Sequence, residues 1–240
     1  MIKNALRYLM EEMAPAQLHS IDGKIFSDKP LTRISHNPKA KALQMTTLTS
    51  LVEYIRKSGE PYAYTRYFVH VESPTCVELY SELDDDRVRE CLVQVNANLP
   101  KFPFNQFMGH EEFCINLQSK FMDAEDRGLM LKFAGTVEAG TVSEYGDDGV
   151  TQKATIKTGI ASKGEALIPN PVKLVAYRTF LEVEQPECQY IFRMKDDKFK
   201  GIQCALFEAD GGAWERRAMD AIKEYLDSEL VGIENLIILS

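Results

Sequence analysis

Over residues 171–209 hydrophobic and polar positions alternate with a period of two, and beyond Ala209 the period lengthens to three and four. In VKLVAYRTFLEV, Val172, Leu174 and Ala176 alternate with Lys173 and Val175; in CQYIFRM, Cys188, Tyr190, Phe192 and Met194 take one side and Gln189 and Arg193 the other. Alternation of this kind describes strands with one buried face. GIQCALFEA supplies a third strand. Glu184-Gln185-Pro186-Glu187 and Asp196-Asp197-Lys198-Phe199-Lys200-Gly201 read as short turns, so the strands are expected to pair antiparallel. Trp214, Ala218, Ile222, Tyr225 and Leu226 then form the stripe of a long amphipathic helix, with Glu215, Arg216, Lys223 and Glu224 outward. Asp210 is the expected N-cap and Val231-Gly232 the end. Residues 235–239 are expected to return to this same sheet.

Upstream, Leu48, Leu51, Val52 and Ile55 predict a helix over 47–58, capped by the preceding threonines and stopped by Gly59 and Pro61. Three strands follow at 65–72, 76–83 and 88–96, joined by Ser73-Pro74-Thr75 and Asp84-Asp85-Asp86 as a meander. Leu99-Pro100-Lys101-Phe102-Pro103-Phe104 is a proline-punctuated apolar connection. Phe113, Cys114, Leu117 and Phe121 make a helix stripe, and a second helix ends near Phe133. Residues 136–145 and 150–160, joined by Gly146-Asp147-Asp148-Gly149, predict a projecting β-hairpin with one wet face. At the N-terminus, 2–13 has the spacing of a short amphipathic helix, and 14–45 is polar and broken by Pro15, Gly23, Pro30 and Pro38, as in an extended arm. The expected organisation is an N-terminal arm over 1–45 and a principal domain over 46–240. The fold class is α+β, mainly antiparallel sheet with a long C-terminal helix.

The chain has 240 residues, 45% hydrophobic and 27% charged, enough to bury a sizeable core without disulfides or metals. No apolar run approaches the length of a membrane span, and MIKNALRYLMEEM lacks the features of a signal peptide, so a cytoplasmic protein without a membrane partner is expected. Net charge is −8, unevenly placed: residues 1–41 hold seven Lys or Arg against four Asp or Glu, leaving −11 on the remainder. Such an acidic body disfavours nucleic-acid binding by the main domain. The arm's scattered cations fit an acidic neighbouring subunit better than nucleic acid.

The phrases YRTFLEVEQPECQYIFRM and ALFEADGGAW, with TTLTSLVEYI upstream and HEEFCINL between, resemble a family of phage and prophage proteins typified by YfdQ. The likeness covers the chain from about Thr46 onward. It implies a phage or prophage gene expressed in a bacterial host. The family has no assigned activity, so the likeness implies no functional residue.

Candidate chemistry is sparse. Cys76, Cys91, Cys114, Cys188 and Cys204 lack CxxC spacing and read as reduced core thiols. His110 and Cys114, four apart beside Glu111 and Glu112, have metal-ligand spacing without identifiable further ligands. His70 reads as a strand histidine, and His19 and His36 fall in the arm without partners. The run Asp84 to Asp86 reads as a solvated turn. Gly159 and Gly164 have P-loop spacing, but Glu165 stands where the lysine must be. Gly211-Gly212 at the start of the long helix could receive an anion, against which Glu208 and Asp210 stand; the plainer reading is a tight capped turn. Trp214 is expected as a core anchor, with stacking on a nucleobase or partner side chain as the alternative. No catalytic, cofactor or metal residue is assigned. The function expected is non-enzymatic, through homo-oligomeric self-assembly, shell-like or otherwise, or binding of a host or phage protein. The alternatives are a nucleotide-sequestering protein in phage and host conflict and a hydrolase with a dispersed site.

Overall fold

In the computed structural model the alternating and helical stripes of the larger part of the chain sort into two hydrophobic cores, each built on its own sheet. The structure describes residues 13–31, 39–58, 65–139, 141–147, 152–158, 162–167 and 170–240 with positions 3, 6 and 8; side chains at 125 and 135–167 are outside the description. The chain divides into two units, Met1–Ala40 and Lys41–Ser240. In the first, β1 (Leu18–Ile21) and β2 (Lys24–Ser27) form an antiparallel hairpin. Asp22 and Gly23 have positive φ of 51° and 75°, the conformation a two-residue hairpin turn of this hand requires. This hairpin lies within the segment read from sequence as an extended arm. The helix expected over 2–13 falls largely outside the described residues.

The second unit begins with β3 (Leu43–Met45), which pairs parallel with β6 (Cys91–Asn96) and so belongs to a sheet rather than to an arm. The sheet is completed by β4 (Tyr67–Ser73), β5 (Cys76–Ser81) and β14 (Leu236–Leu239), in the order β14-β4-β5-β6-β3. Its centre is the predicted antiparallel meander. Tyr67, Val69 and Val71 share a face with Val77 and Leu79 and with Val93 and Val95, and all seven are fully buried. Two helices cover that face. One is α1 (Leu48–Lys57), capped by Thr47, whose hydroxyl accepts from the Ser50 amide at 3.2 Å. The other is the C-terminal helix, which contributes Ile222 and Leu226. Leu48, Leu51 and Ile55 are fully buried, and each such side chain contributes about 1.5–3 kcal/mol.

The second sheet joins β7 (Met108–Gly109), β11 (Val172–Val175), β12 (Glu187–Asp197) and β13 (Gly201–Glu208), all antiparallel, in the order β11-β12-β13-β7. Cys188, Tyr190, Phe192 and Met194 form its buried face as the alternation predicts. They pack against α2 (His110–Lys120) through Phe113 and Leu117 and against α3 (Glu125–Ala139) through Met130 and Phe133. The helix expected to end near Phe133 therefore continues to Ala139. The predicted hairpin is a three-stranded antiparallel sheet of β8 (Thr141–Asp147), β9 (Gln152–Thr158) and β10 (Ser162–Leu167). The expected turn residues 148–149 and the side chains of its wet face lie outside the described residues. The C-terminal helix, α4, spans Ala213–Glu229.

The protein is α+β with antiparallel-rich sheets and a C-terminal helix. Two further local expectations are corrected. β14 does not return to the sheet of β12 and β13; it pairs parallel with β4, Leu236 beside Tyr67 and Ile238 beside Val69. Its alternation carries no label for one sheet over another, and Leu236 and Ile238 pack on the core beneath α1 and α4. The second correction concerns residues 176–186, which do not continue the strand. Among the described residues no helix is long and apolar enough to cross a membrane.

Candidate functional site

The segment 176–186 changes allegiance from one core to the other. Val172, Leu174 and Ala176 belong to the core of the four-stranded sheet, whereas Phe180 and Val183 belong to that of the five-stranded sheet. A continuous strand cannot make that crossing, and Gln185 replaces the lost ladder. The residue is 7% exposed; its Oε1 accepts from the amides of Arg178 (2.9 Å) and Thr179 (3.2 Å), and Nε2 donates to the carbonyls of Thr179, Phe180 and Val183. The Thr179 hydroxyl ties the loop to the other layer by donating to the Pro74 carbonyl at 2.6 Å.

This held loop aims Arg178. Its guanidinium lies over the Trp214 ring at 3.7 Å and the Phe104 ring at 4.7 Å, donates to the Tyr190 hydroxyl at 3.4 Å and pairs with Glu208. Burial works against its charge, but Tyr190 and Glu208 more than offset this and hold its pKa above the ordinary guanidinium value. Tyr190 is itself pushed above the ordinary phenol range, chiefly by burial, and stacks on Phe104 with centroids 5.2 Å apart.

Beside Arg178 opens a cleft of about 550 Å³, within the usual size of a small-molecule site. Thr75 from the turn between β4 and β5, the connection 97–104, Lys120 at the end of α2, residues 176–178 and Trp214 in the first turn of α4 line it. Three cations are present, Lys101, Lys120 and Arg178, and four aromatic rings, Phe102, Phe104, Tyr177 and Trp214; no carboxylate is among the lining residues. Lys120 Nζ donates to the Lys101 carbonyl at 2.6 Å. Neither ammonium has a carboxylate partner among the described residues. The cleft is thus locally cationic in a chain of net charge −8. Its donors suit an anion, and its rings suit a flat apolar group.

Of the residues weighed from sequence, only Trp214 enters this site. It is partly buried against the first core and under Arg178, so anchor and stacking surface coincide. Gly212, with φ of 81°, is the N-cap of α4, and Asp210 is not; the Asp210 carboxylate instead accepts from the Gly212 amide at 3.2 Å and holds the turn. The left-handed Gly212 at this junction takes the cap position and leaves Asp210 two residues before it. Glu208 is committed to Arg178. His110 and Cys114 approach at 3.7 Å in the first turns of α2, without a further ligand gathered there among the described residues. His70 is half-buried on the face of the five-stranded sheet away from the helices, His19 is exposed in β1, and His36 and Gly159 lie outside the described residues. Gly164 stands in β10. Asp84 holds its exposed turn by accepting from the Val88 amide. All five cysteines are free thiols; Cys76, Cys188 and Cys204 are buried.

One cluster escaped the sequence reading. Glu72, Cys76 and Glu78 bring potential ligand atoms within 4.8 Å of one another. Burial, and then Glu72, push the Cys76 thiol up to about 12, so it keeps its proton. Glu78 already accepts from the Tyr80 hydroxyl and from Gln94 Nε2 at 3.0 Å. The cluster reads as a satisfied hydrogen-bond network. Its sequence signal was the pairing of β4 with β5, which sets these residues on the sheet face opposite Val71 and Val77. Comparison with family models, curated proteins and solved structures returns no match.

Proposed function

We propose that this chain is a non-enzymatic phage or prophage protein that binds a small organic anion in the cleft beside Arg178. The phage setting rests on the likeness to the family typified by YfdQ. The observation that carries the binding reading is the lining itself: three cations and four rings without a carboxylate, in an acidic chain. Two lysines without a carboxylate partner among the described residues, set beside aromatic rings, favour an anion.

The test is thermal unfolding of the whole chain with aromatic anions, matched neutral aromatics and aromatic cations. Aromatic anions should raise Tm, by an amount equivalent to about 2.7 kcal/mol at a hundred times Kd. Lys101→Glu with Lys120→Glu should abolish that rise. An equal rise with neutral or cationic aromatics would sink the reading.

Self-association is a second reading, supported by the outer edges of β3 and β14, which have no partner strand among the described residues. Such edges are templates for pairing with another chain. Light scattering tests it: a single-chain mass at all concentrations rules it out.

A further inference from the structure

Resting on that reading, we propose that the ligand is a nucleotide, with its phosphate held by Lys101 and Lys120 and its base placed against the rings around Trp214, while Arg178 serves as a fixed support. Three observations separate these roles. The Arg178 guanidinium is already spent: it pairs with Glu208, donates to Tyr190 and covers two rings. Drawing it onto a phosphate would break a pair whose side chains are 12% and 32% exposed, leaving Glu208 without its partner.

The lysines are differently placed. The Lys120 ammonium gives one hydrogen bond, to the Lys101 carbonyl, and so stands beside the Lys101 main chain with two N–H donors uncommitted among the described residues. Lys101 Nζ has no hydrogen-bond partner among the described residues. Nor, on the same wall, do the side chains of Thr75, Asn98 and Tyr177. Thr75, Asn98 and Tyr177 can each donate or accept and the two ammonium groups only donate, so donors outnumber acceptors on this wall. A planar carboxylate offers two oxygens to such a wall, whereas a phosphate monoester offers three charged or strongly accepting oxygens and up to two negative charges. Lysines bind phosphate as mobile point charges, which suits two ammonium groups on separate elements better than a bidentate clamp would.

The apolar part of the ligand follows from the remaining lining. Phe102 is buried in the core, but Phe104, Tyr177 and Trp214 are only partly so. Aromatic side chains accept any nucleobase, because every base has a π-face. The cleft therefore selects for a phosphate joined to a flat ring and discriminates weakly among bases.

Titration calorimetry of the full chain with AMP, CMP, adenosine, inorganic phosphate and benzoate tests this. Expected are AMP and CMP within about tenfold of each other, and each at least about tenfold tighter than adenosine, phosphate or benzoate, a factor of ten being about 1.4 kcal/mol. Lys101→Met and Lys120→Met should each weaken AMP binding by about tenfold and leave adenosine binding unchanged, with Tm recorded as the control for folding. Arg178→Lys, which keeps a charge near Glu208, should weaken AMP less than either lysine variant. Adenosine binding as tightly as AMP, or benzoate binding more tightly, overturns the nucleotide assignment and leaves the anion reading to stand or fall on the charge-reversal test. No binding of AMP, CMP, phosphate or benzoate overturns both.

Discussion

Replacing Gln185 by methionine tests the claim that one side chain holds the crossing between the two cores. Methionine matches its length and fills the same space, so packing is nearly conserved. What is lost is the acceptor for the Arg178 and Thr179 amides and the donor to three carbonyls. Thr179 is fully buried, so its amide has no water to turn to. The carbonyls lose less, because that of Phe180 also accepts from the Val183 amide at 3.3 Å. Each buried donor left unpaired costs about 1–3 kcal/mol, and the Arg178 amide, only part-buried, counts at the low end. The expected loss is about 2–4 kcal/mol, a large share of the roughly 5–15 kcal/mol that holds a domain folded. Urea titration followed by circular dichroism should show it as a lower midpoint at unchanged m. Gln185→Glu sharpens the test, since a carboxylate there would face three carbonyls in a buried site and its pKa would rise. A raised carboxyl pKa means the folded state favours the proton, so the variant's deficit should shrink as pH falls towards about 4 and grow towards neutrality. A methionine variant within about 0.5 kcal/mol of the parent would refute the idea that Gln185 carries the loop.

Thr47→Ala should cost about 1 kcal/mol in urea unfolding, because it removes the acceptor for the Ser50 amide at the start of α1. A double-mutant cycle on Arg178→Met and Glu208→Gln should return a coupling of about 1–2 kcal/mol, below that of a fully buried pair because Glu208 is 32% exposed; a coupling near zero would mean Arg178 stays in place through its rings alone. Burial pushes the Cys204 thiol up to about 12 from an ordinary 9, so the folded state favours the protonated form. That contribution is intact below pH 9 and is lost as pH rises through about 12. The urea midpoint should fall above pH 9, and fall less in Cys204→Val. At pH 8 a thiol reagent should label the half-buried Cys91 and Cys114 before the buried Cys188 and Cys204, as peptide mapping at short reaction times would show.

What could be read from the sequence was local. The stripe of α1 with its threonine cap, the meander of β4 to β6 and the alternation of β12 each depend on neighbours a few residues apart, and each appears where the pattern puts it. Pairings over long separations were not legible. Leu236 and Ile238 alternate equally well for either sheet, and Leu43 to Met45 is too short to declare itself a strand. Phe180 and Val183 keep up the apolar content of the preceding strand, so nothing in their type announces that they serve a different core. The glutamine that makes the crossing possible looks like an ordinary turn residue until its five partners are seen.

The cleft was illegible for the same reason. Lys101, Lys120 and Arg178 have no common spacing; they meet because the loop after β6, the end of α2 and the segment 176–178 converge where the two cores adjoin. Trp214 fits its helical stripe, and its second role exists only because Arg178 lies over it. This origin has a physical consequence. Thr75 comes from the sheet of one core, Phe102 and Phe104 pack on the other, and Arg178 sits on the strap between them. A ligand that touches all of these gains only when both layers are in register, so its binding energy is linked to their association as well as to its own contacts. Loosening the strap should therefore weaken binding even though Gln185 is not among the residues lining the cleft.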